Sequence, residues 1–251
     1  MTLHRFGSLR ALLWDVDGTL AETERDGHRP AFNRAFAEAG VPLDWDCEHY
    51  AELLRVSGGR ERIAAALQSL RGIPASADEI EALQAAKQNH YRALMEAGAI
   101  SLRPGVAGLI GQAAAAGVRQ ALVTTSARTA VESLLNHQLG PLAQAFELWV
   151  CGDDVRAKKP HPEAYQQALR RLNLASGTAL AIEDSGNGLA AATAAGIPCL
   201  ITLSEFGAAE PAERFAAARA VVDRLGPAAR VLQGPDCGSE GVTLDYLKRL
   251  L

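Results

Sequence analysis

The chain is poor in cysteine, and the few that it has are far apart. Four cysteines occur in 251 residues, at positions 47, 151, 199 and 237, and no two form a C-x-x-C pair. This spacing indicates neither a zinc site nor a redox pair, so we expect reduced, mostly packed thiols.

The chain also lacks a basic excess and long hydrophobic runs. Its formal net charge is −4, and nucleic-acid binding relies on a basic surface, so we expect no nucleic-acid partner. Charge, glycine or proline interrupts the alanine-rich segments, and the apolar stretch before Asp15 is too short for a signal peptide. We therefore expect a cytoplasmic protein with no membrane partner. As a separate expectation, we take the protein to be a monomer.

The most informative stretch that is present is Asp15-Val16-Asp17-Gly18-Thr19, which closes the apolar run of residues 11–14. Side chains two apart on a strand share a face, so Asp15 and Asp17 should point the same way. Two close carboxylates repel unless a proton or a cation such as Mg²⁺ compensates. The stretch predicts either a metal site or two solvated acids, because Asp and Gly are ordinary turn residues.

Hydrophobic periodicity divides the chain near residue 100. Residues 22–100 show apolar positions at helical spacing, as at Phe32 and Phe36, and no strand pattern. Later, short apolar runs alternate with helical stretches, which predicts a parallel sheet with strands at 119–124, 148–151, 179–182, 199–203 and 220–222. We expect an α/β fold: a Rossmann-like parallel sheet core with helices on both faces over 1–21 and 101–251, and an inserted α-helical domain over 22–100.

Polar residues follow three of the later strands, at the edge where open parallel sheets bind ligands. Thr124 and Ser126 could cradle a phosphate at a helix start, although Ser126 could equally cap that helix. Lys159 precedes a proline, which holds it extended, so its ammonium group could neutralise a transferring phosphoryl group. An isolated pair of lysines before a proline is otherwise typical of a solvated surface. Glu183 and Asp184 end a fully apolar run, where unpaired carboxylates are costly, so they are candidate cation ligands.

A competing pattern is G-x-G-x-x-A at residues 186–191, which matches a dinucleotide-binding fingerprint, with Glu205 further on. However, Glu183 and Asp184 would then lie against the pyrophosphate, and the unit comes late in the chain. Glycine-rich turning beside a metal site explains these glycines equally well.

In this order, D-x-D-G-T, a strand-end Thr, Lys-Pro and Glu-Asp resemble the haloacid dehalogenase superfamily of aspartate-nucleophile phosphotransferases. The four motifs match at residues 15–19, Thr124, Lys159 and residues 183–184, across nearly the whole chain. Residues 21–33 and 58–63 are similar to the CbbY group. The resemblance implies that the helical insert is a cap domain.

The resemblance also implies an activity and roles for residues. It implies a Mg²⁺-dependent phosphatase of a small sugar phosphate or bisphosphate, such as xylulose 1,5-bisphosphate, acting through an aspartyl phosphate. Asp15 is the implied nucleophile and Asp17 the acid and base, while Thr124 and Lys159 bind the transferring group. The implied magnesium ligands are Asp15, the Asp17 carbonyl and Asp184, with Glu183 orienting them.

Selection of the substrate is expected to fall mainly to the insert. The candidates for sugar hydroxyls and a second phosphate are Glu24, His28, Arg60 and Ser126. Arg60 follows two glycines, so its loop can approach a ligand closely, whereas Arg62 is expected on a solvated helix face. His28 could equally be a packing residue, and its spacing from Thr23 is one residue longer than in some relatives.

Other functions stay open at this point. A sugar-phosphate mutase similar to β-phosphoglucomutase shares the motifs and the cap, and phosphoglycolate is another substrate for the same chemistry. A non-catalytic phosphosugar-binding regulator is the non-enzymatic alternative, against which the intact Asp15, Asp17, Lys159 and Asp184 argue. In each case we expect a small phosphorylated metabolite as the partner.

Overall fold

A seven-stranded sheet forms the centre of the protein in a computed structural model that describes residues 8–251. The first seven residues, part of the predicted core range 1–21, lie outside the described residues. The strands are β1 (Ala11–Trp14), β2 (Arg119–Val123), β3 (Phe146–Val150), β4 (Ala179–Glu183), β5 (Cys199–Thr202), β6 (Ala220–Val222) and β7 (Val231–Gln233).

The strands run in the order β3-β2-β1-β4-β5-β6-β7, and neighbours from β3 to β6 are parallel. This confirms the predicted parallel sheet. The short β7, which the sequence did not suggest, pairs antiparallel with β6. Its three residues are too few for a periodicity to be recognised.

Helices occupy the segment between β1 and β2 and both faces of the sheet. Between these two strands the named elements are a π-helix (Glu24–His28) and the helices α1 (Arg29–Glu38), α2 (Cys47–Leu53), α3 (Gly59–Arg71), α4 (Ala77–Glu96) and α5 (Val106–Ala115). The later ones are α6 (Arg128–Gln138), α7 (Glu163–Leu172), α8 (Gly186–Ala194) and α9 (Leu244–Lys248). Within residues 8–251, no helix has the length and apolar character needed to span a bilayer.

Alternation along the strands builds a core on each face of the sheet. Leu12 and Trp14 of β1 pack with residues of α5 and α6, whereas Ala11 and Leu13 pack with residues of α7 and α8. Because strands covered on both sides are apolar on both sides, β1 is a continuous hydrophobic run with no polar face. The predicted placement of helices on both faces is confirmed.

The helical segment has a separate aromatic core. Phe32, Phe36, Trp45 and Tyr50 pack together in it, and Phe206, from the loop after β5, meets the Tyr50 ring at 5.7 Å. The two linkers that join this segment to the sheet lie side by side through a bridge between Ala21 and Leu102.

The order of the strands places a crevice at their carboxyl ends. The chain builds outward from β1 to β2 and β3, then returns to the other side of β1 with β4, so the switch point lies between β1 and β4. Open parallel sheets bind ligands at this point. A cavity of about 350 Å³ lies here, bounded by the strand ends and by the helical segment.

Candidate active site

Asp15 and Lys159 form a buried ion pair at the end of β1. Lys159 Nζ donates to Asp15 Oδ1 at 2.7 Å and to the Val123 carbonyl at 2.7 Å, and it lies 2.6 Å from Glu183 Oε1. Burial raises the pKa of Asp15 to about 7, against the opposing charge of Lys159. Burial would lower the pKa of Lys159, but the carboxylates of Asp15 and Glu183 outweigh it and raise that pKa. The lysine is therefore a permanent cation beside Asp15.

Asp17 is surrounded by hydrogen-bond donors. Its Oδ1 accepts from the Thr23 hydroxyl at 2.6 Å and lies 2.9 Å from His28 Nε2, while its Oδ2 accepts from the Ser126 hydroxyl. Burial opposes ionisation of Asp17, but His28, Ser126 and Thr23 together hold its pKa well below the ordinary value. Two carboxyl groups two residues apart thus have opposite environments, as expected for groups with different chemical tasks.

The residues after β2 form a tight polar turn against Asp17. The Ser126 backbone N–H donates to Thr124 Oγ1 at 3.0 Å, and Thr124 Oγ1 lies 3.5 Å from Asp17 Oδ2. Thr125, which lies between Thr124 and Ser126 in the chain and was not predicted from the sequence, lines the cavity. A Cβ at Gly152 would lie 2.2 Å from the Thr125 carbonyl, so only glycine lets the next strand end approach this turn.

Asp15, Glu183 and Asp184 form the carboxylate cluster of the site. One oxygen of each lies within 4.8 Å of the others. Burial and the nearby charge of Asp15 raise the pKa of Asp184 well above its usual value, so the cluster is short of positive charge. An all-oxygen donor set with this deficit fits a hard divalent cation such as Mg²⁺.

Glu183 faces away from the cavity within this cluster. Its side chain is fully buried, and its Oε1 contacts Lys159 and accepts from the Tyr165 hydroxyl. Tyr165 also places its ring 5.4 Å from Lys159 Nζ. Asp15 and Asp184 line the cavity whereas Glu183 does not, so Glu183 orients Lys159 from behind.

The dinucleotide interpretation of the glycines after β4 does not fit the structure. A Cβ at Gly188 would lie 1.9 Å from Glu183 Oε2, so this glycine makes room for the buried carboxylate. The Gly186 N–H, at the start of α8, donates to Glu210 at 3.1 Å, and the Gly188 N–H donates to the Ser185 hydroxyl. A helix start that is already bonded to an acid is not free for a pyrophosphate.

Glu24, Tyr50 and Arg62 form a polar group on the helical side of the cavity. The Tyr50 hydroxyl donates to Glu24 Oε2 at 2.5 Å and accepts from Arg62 Nη1 at 2.7 Å, and Arg62 lies 3.8 Å from Glu24. Glu24 and Arg62 line the cavity. Glu24, a candidate for substrate contacts, therefore has access to the cavity, and its role stays a prediction.

Arg60 and Arg62, two of the three arginines of α3, lie in different environments. Arg62 is 5% exposed, because it lies on the helix face that also buries Ile63 and Ala66. Arg60 lies outside the cavity lining and forms a two-pronged ion pair with Glu81, at 2.7 and 3.0 Å. The expectation of a solvated Arg62 is thus wrong, and in this structure Arg60 is committed to a surface pair.

Comparison with known proteins decides the family. A model of the haloacid dehalogenase-like hydrolases matches residues 9–196, which include every motif residue described above. The chain belongs to this family.

Among the relatives of the chain, protein CbbY of Cereibacter sphaeroides is 47% identical over 195 residues, which are 77% of this chain and 84% of CbbY. The crystal structure of CbbY from Rhodobacter sphaeroides in complex with phosphate has a TM-score of 0.80 and 44% identity. The match covers 86% of this chain and 94% of that one. A variant of that CbbY, in complex with xylulose-(1,5)bisphosphate, matches with the same values.

His28 lies behind Asp17 rather than in the cavity lining of this hydrolase. It ends the π-helix of residues Glu24–His28. Lys87 Nζ lies 2.8 Å from His28 Nδ1, and the Tyr91 ring stacks on the imidazole at 4.3 Å. Because an ammonium group only donates, Nδ1 accepts and Nε2 donates to Asp17.

Several residues of the site were missed in the sequence. Lys87, which contacts His28, is buried on the apolar face of α4, and its spacing with Leu83 and Tyr91 follows the helical repeat. A lysine within such a face is a detectable signal, because an unpaired charge there would be costly. Tyr50 carried no comparable signal, since its partners Glu24 and Arg62 lie 26 and 12 residues away. The contact of Thr23 with Asp17, six residues away, depends on the turn that follows β1.

Proposed function

We propose that the protein is a Mg²⁺-dependent phosphatase that hydrolyses a small sugar phosphate or bisphosphate through an aspartyl phosphate on Asp15. The observation that carries the proposal is the contrast between two carboxyl groups at one strand end. Asp15 lies beside a cavity with Lys159 as its counter-ion, and Asp17 is held by three donors. Covalent catalysis would divide a difficult hydrolysis into two easier displacements.

In the first displacement, a carboxylate oxygen of Asp15 forms a bond to phosphorus, and the bond from phosphorus to the sugar oxygen breaks. Asp17 gives its proton to that sugar oxygen. Because three donors favour the carboxylate form, at least one of them must turn away for Asp17 to carry a proton. The Ser126 hydroxyl is the donor best able to do so, because it rotates about its C–O bond and Ser126 is only partly buried, whereas Thr23 is fully buried.

In the second displacement, a water oxygen attacks phosphorus, the bond to Asp15 breaks, and Asp17 accepts a proton from the water. The carboxylate form that this step needs is the form that Thr23, His28 and Ser126 stabilise. Lys159 and the polar turn after β2 would hold the phosphoryl oxygens during both steps.

Magnesium would be held by carboxylate oxygens of Asp15 and Asp184 and by the Asp17 carbonyl. When bound, the ion neutralises charge on the transferring phosphoryl group. The raised pKa values of Asp15 and Asp184 support this, because a bound cation would offset the cost of burying these negative charges close together.

For the substrate we propose xylulose 1,5-bisphosphate or a closely similar sugar phosphate. The support is the likeness to a CbbY structure that contains xylulose-(1,5)bisphosphate, and a cavity flanked by Glu24 and the buried Arg62. Residues 22–100 would act as a cap over a core formed by residues 1–21 and 101–251. We further propose that the protein acts as a cytoplasmic monomer.

The test is a panel of phosphorylated sugars, including phosphoglycolate, incubated with Mg²⁺ and assayed for inorganic phosphate. Stoichiometric phosphate from xylulose 1,5-bisphosphate, with the highest kcat/KM of the panel, supports the proposal. An isomerised sugar phosphate formed without phosphate release would instead identify a mutase, and binding without turnover would identify a regulator.

A further inference from the structure

Arg103 lies on the linker that returns the chain from the helical segment to the sheet, and it is buried. Its backbone N–H donates to the Leu20 carbonyl at 2.8 Å, beside the bridge between Ala21 and Leu102. Arg103 therefore stands where both linkers run together, directly behind the D-x-D-G-T loop.

The guanidinium group of Arg103 has five N–H donors, and five acceptors surround it. Nε lies 3.0 Å from Glu22 Oε1. The two Nη atoms donate to main-chain carbonyls of the D-x-D-G-T loop and of the ends of β5 and β6, namely those of Gly18, Thr202, Leu203 and Asp223. A lysine has three donors on one atom and cannot reproduce this planar fork.

In the D-x-D-G-T loop, Arg103 binds the carbonyl of Gly18, and Gly18 packs against Asp184 of the carboxylate cluster. Gly18 has a φ of +81°, and a Cβ there would lie 2.1 Å from Asp184 Oδ2 and 3.0 Å from Ser204 Cβ. Ser204 follows Leu203, whose carbonyl Arg103 also binds, and its side chain packs beside Gly18 next to Asp184. The Arg103 guanidinium thus binds the main chain on both sides of Asp184: at Gly18, and at Leu203 directly before Ser204.

We propose that Arg103 is a positioning residue for the metal site: it sets the separation at which Asp15 and Asp184 share one cation. The inference rests on the proposed function, because it takes these carboxylates to be the magnesium ligands. Arg103 does not line the cavity, so it acts through Gly18 and Ser204 rather than on the reacting atoms. Groups that orient metal ligands in this way affect metal affinity strongly.

The test compares the wild type with Arg103→Lys and with a control, Arg119→Lys. Arg119 also bonds a carboxylate, that of Glu147, and a carbonyl, that of Leu172, but at the amino end of β2. Calorimetry measures Mn²⁺ binding to the resting protein, and an aryl phosphate assay measures half-saturation by Mg²⁺. Arg103→Lys should weaken both by about 10- to 100-fold, with the KM of the aryl phosphate at saturating Mg²⁺ unchanged.

An Mn²⁺ affinity that is unchanged in a folded Arg103→Lys variant, or equally reduced in Arg119→Lys, overturns the inference. Glu22→Gln removes the carboxylate partner and keeps the four carbonyl bonds, so it should leave Mn²⁺ affinity unchanged. If Glu22→Gln lowers the Mn²⁺ affinity about tenfold, the inference is contradicted, and this result does not depend on whether Arg103→Lys folds. A wild type that neither binds Mn²⁺ nor depends on Mg²⁺ refutes the proposed function instead.

Discussion

Replacing Asp17 with asparagine should separate the two displacements at Asp15. The substitution keeps the shape of the side chain and its hydrogen bonds. The oxygen of the new side-chain amide can accept from Thr23 and His28, which both contact Oδ1, and its NH₂ group can donate to the Ser126 hydroxyl, which contacts Oδ2. We therefore expect a folded protein whose melting temperature is close to that of the wild type.

The expected decrease in rate follows from the loss of acid–base assistance by the Asp17 carboxyl group. Acid–base assistance by a positioned side chain contributes about 10²- to 10⁴-fold, which is roughly 3–5 kcal/mol of activation free energy. A sugar alkoxide is a poor leaving group, so with a sugar phosphate both displacements should suffer. With para-nitrophenyl phosphate, whose leaving group needs no proton, only attack by water should be slowed.

Stopped-flow absorbance with para-nitrophenyl phosphate and Mg²⁺ measures this difference. The Asp17→Asn variant should release one nitrophenolate per active site in a burst, followed by turnover about 10²- to 10⁴-fold slower than that of the wild type. Wild-type protein under the same conditions is the control. Equal loss of the burst and of the steady state would refute the assignment of Asp17, and so would steady-state turnover close to wild type.

Three further predictions concern neighbouring groups. Asp15→Asn should lower turnover of every substrate by about 10⁴-fold or more, with an unchanged circular dichroism spectrum, and retained activity would remove it as the nucleophile. Arg62→Gln should lower kcat/KM for xylulose 1,5-bisphosphate by about 10- to 100-fold and spare aryl phosphates, whereas the control Arg60→Gln on the same helix should change neither. Burial lowers the pKa of Lys87 to about 8. Between about pH 8 and pH 10 the unfolded chain keeps the Lys87 proton that the folded protein has lost. The free energy of unfolding should therefore rise with pH over this range, by at most about 1.4 kcal/mol per pH unit. Urea titrations should lose this rise in Lys87→Met, and an equal slope in both proteins would contradict the assignment.

The parts of the site that follow strands could be predicted from the sequence. Asp15, Thr124 and Asp184 each follow a recognisable apolar run, and Lys159 lies in the loop after another. Parallel strands bring their carboxyl ends together whatever the details of packing. The core fold was predictable for the same reason. The strands and the strand-end residues both follow from short-range periodicity, and the site follows from the rule that open parallel sheets bind ligands at the carboxyl ends of their strands.

The helical side of the site could not be predicted in the same way. Arg60 and Arg62 are two residues apart, so the orientation of α3, which the aromatic core sets, decides which of them reaches the cavity. The place of His28 depends on a π-helical turn, and its partner Lys87 is 59 residues away. Such contacts depend on packing between distant segments, which local sequence patterns do not encode.

The most direct test of the central claim is the detection of phosphate on Asp15. The protein is mixed with Mg²⁺ and radiolabelled xylulose 1,5-bisphosphate, quenched in acid within one turnover, and digested for mass spectrometry. The account predicts labelled acyl phosphate on the wild-type peptide that contains Asp15, and none on that peptide in the Asp15→Asn variant. Release of labelled phosphate by the wild type with no labelled peptide, at times that span the turnover, would contradict it.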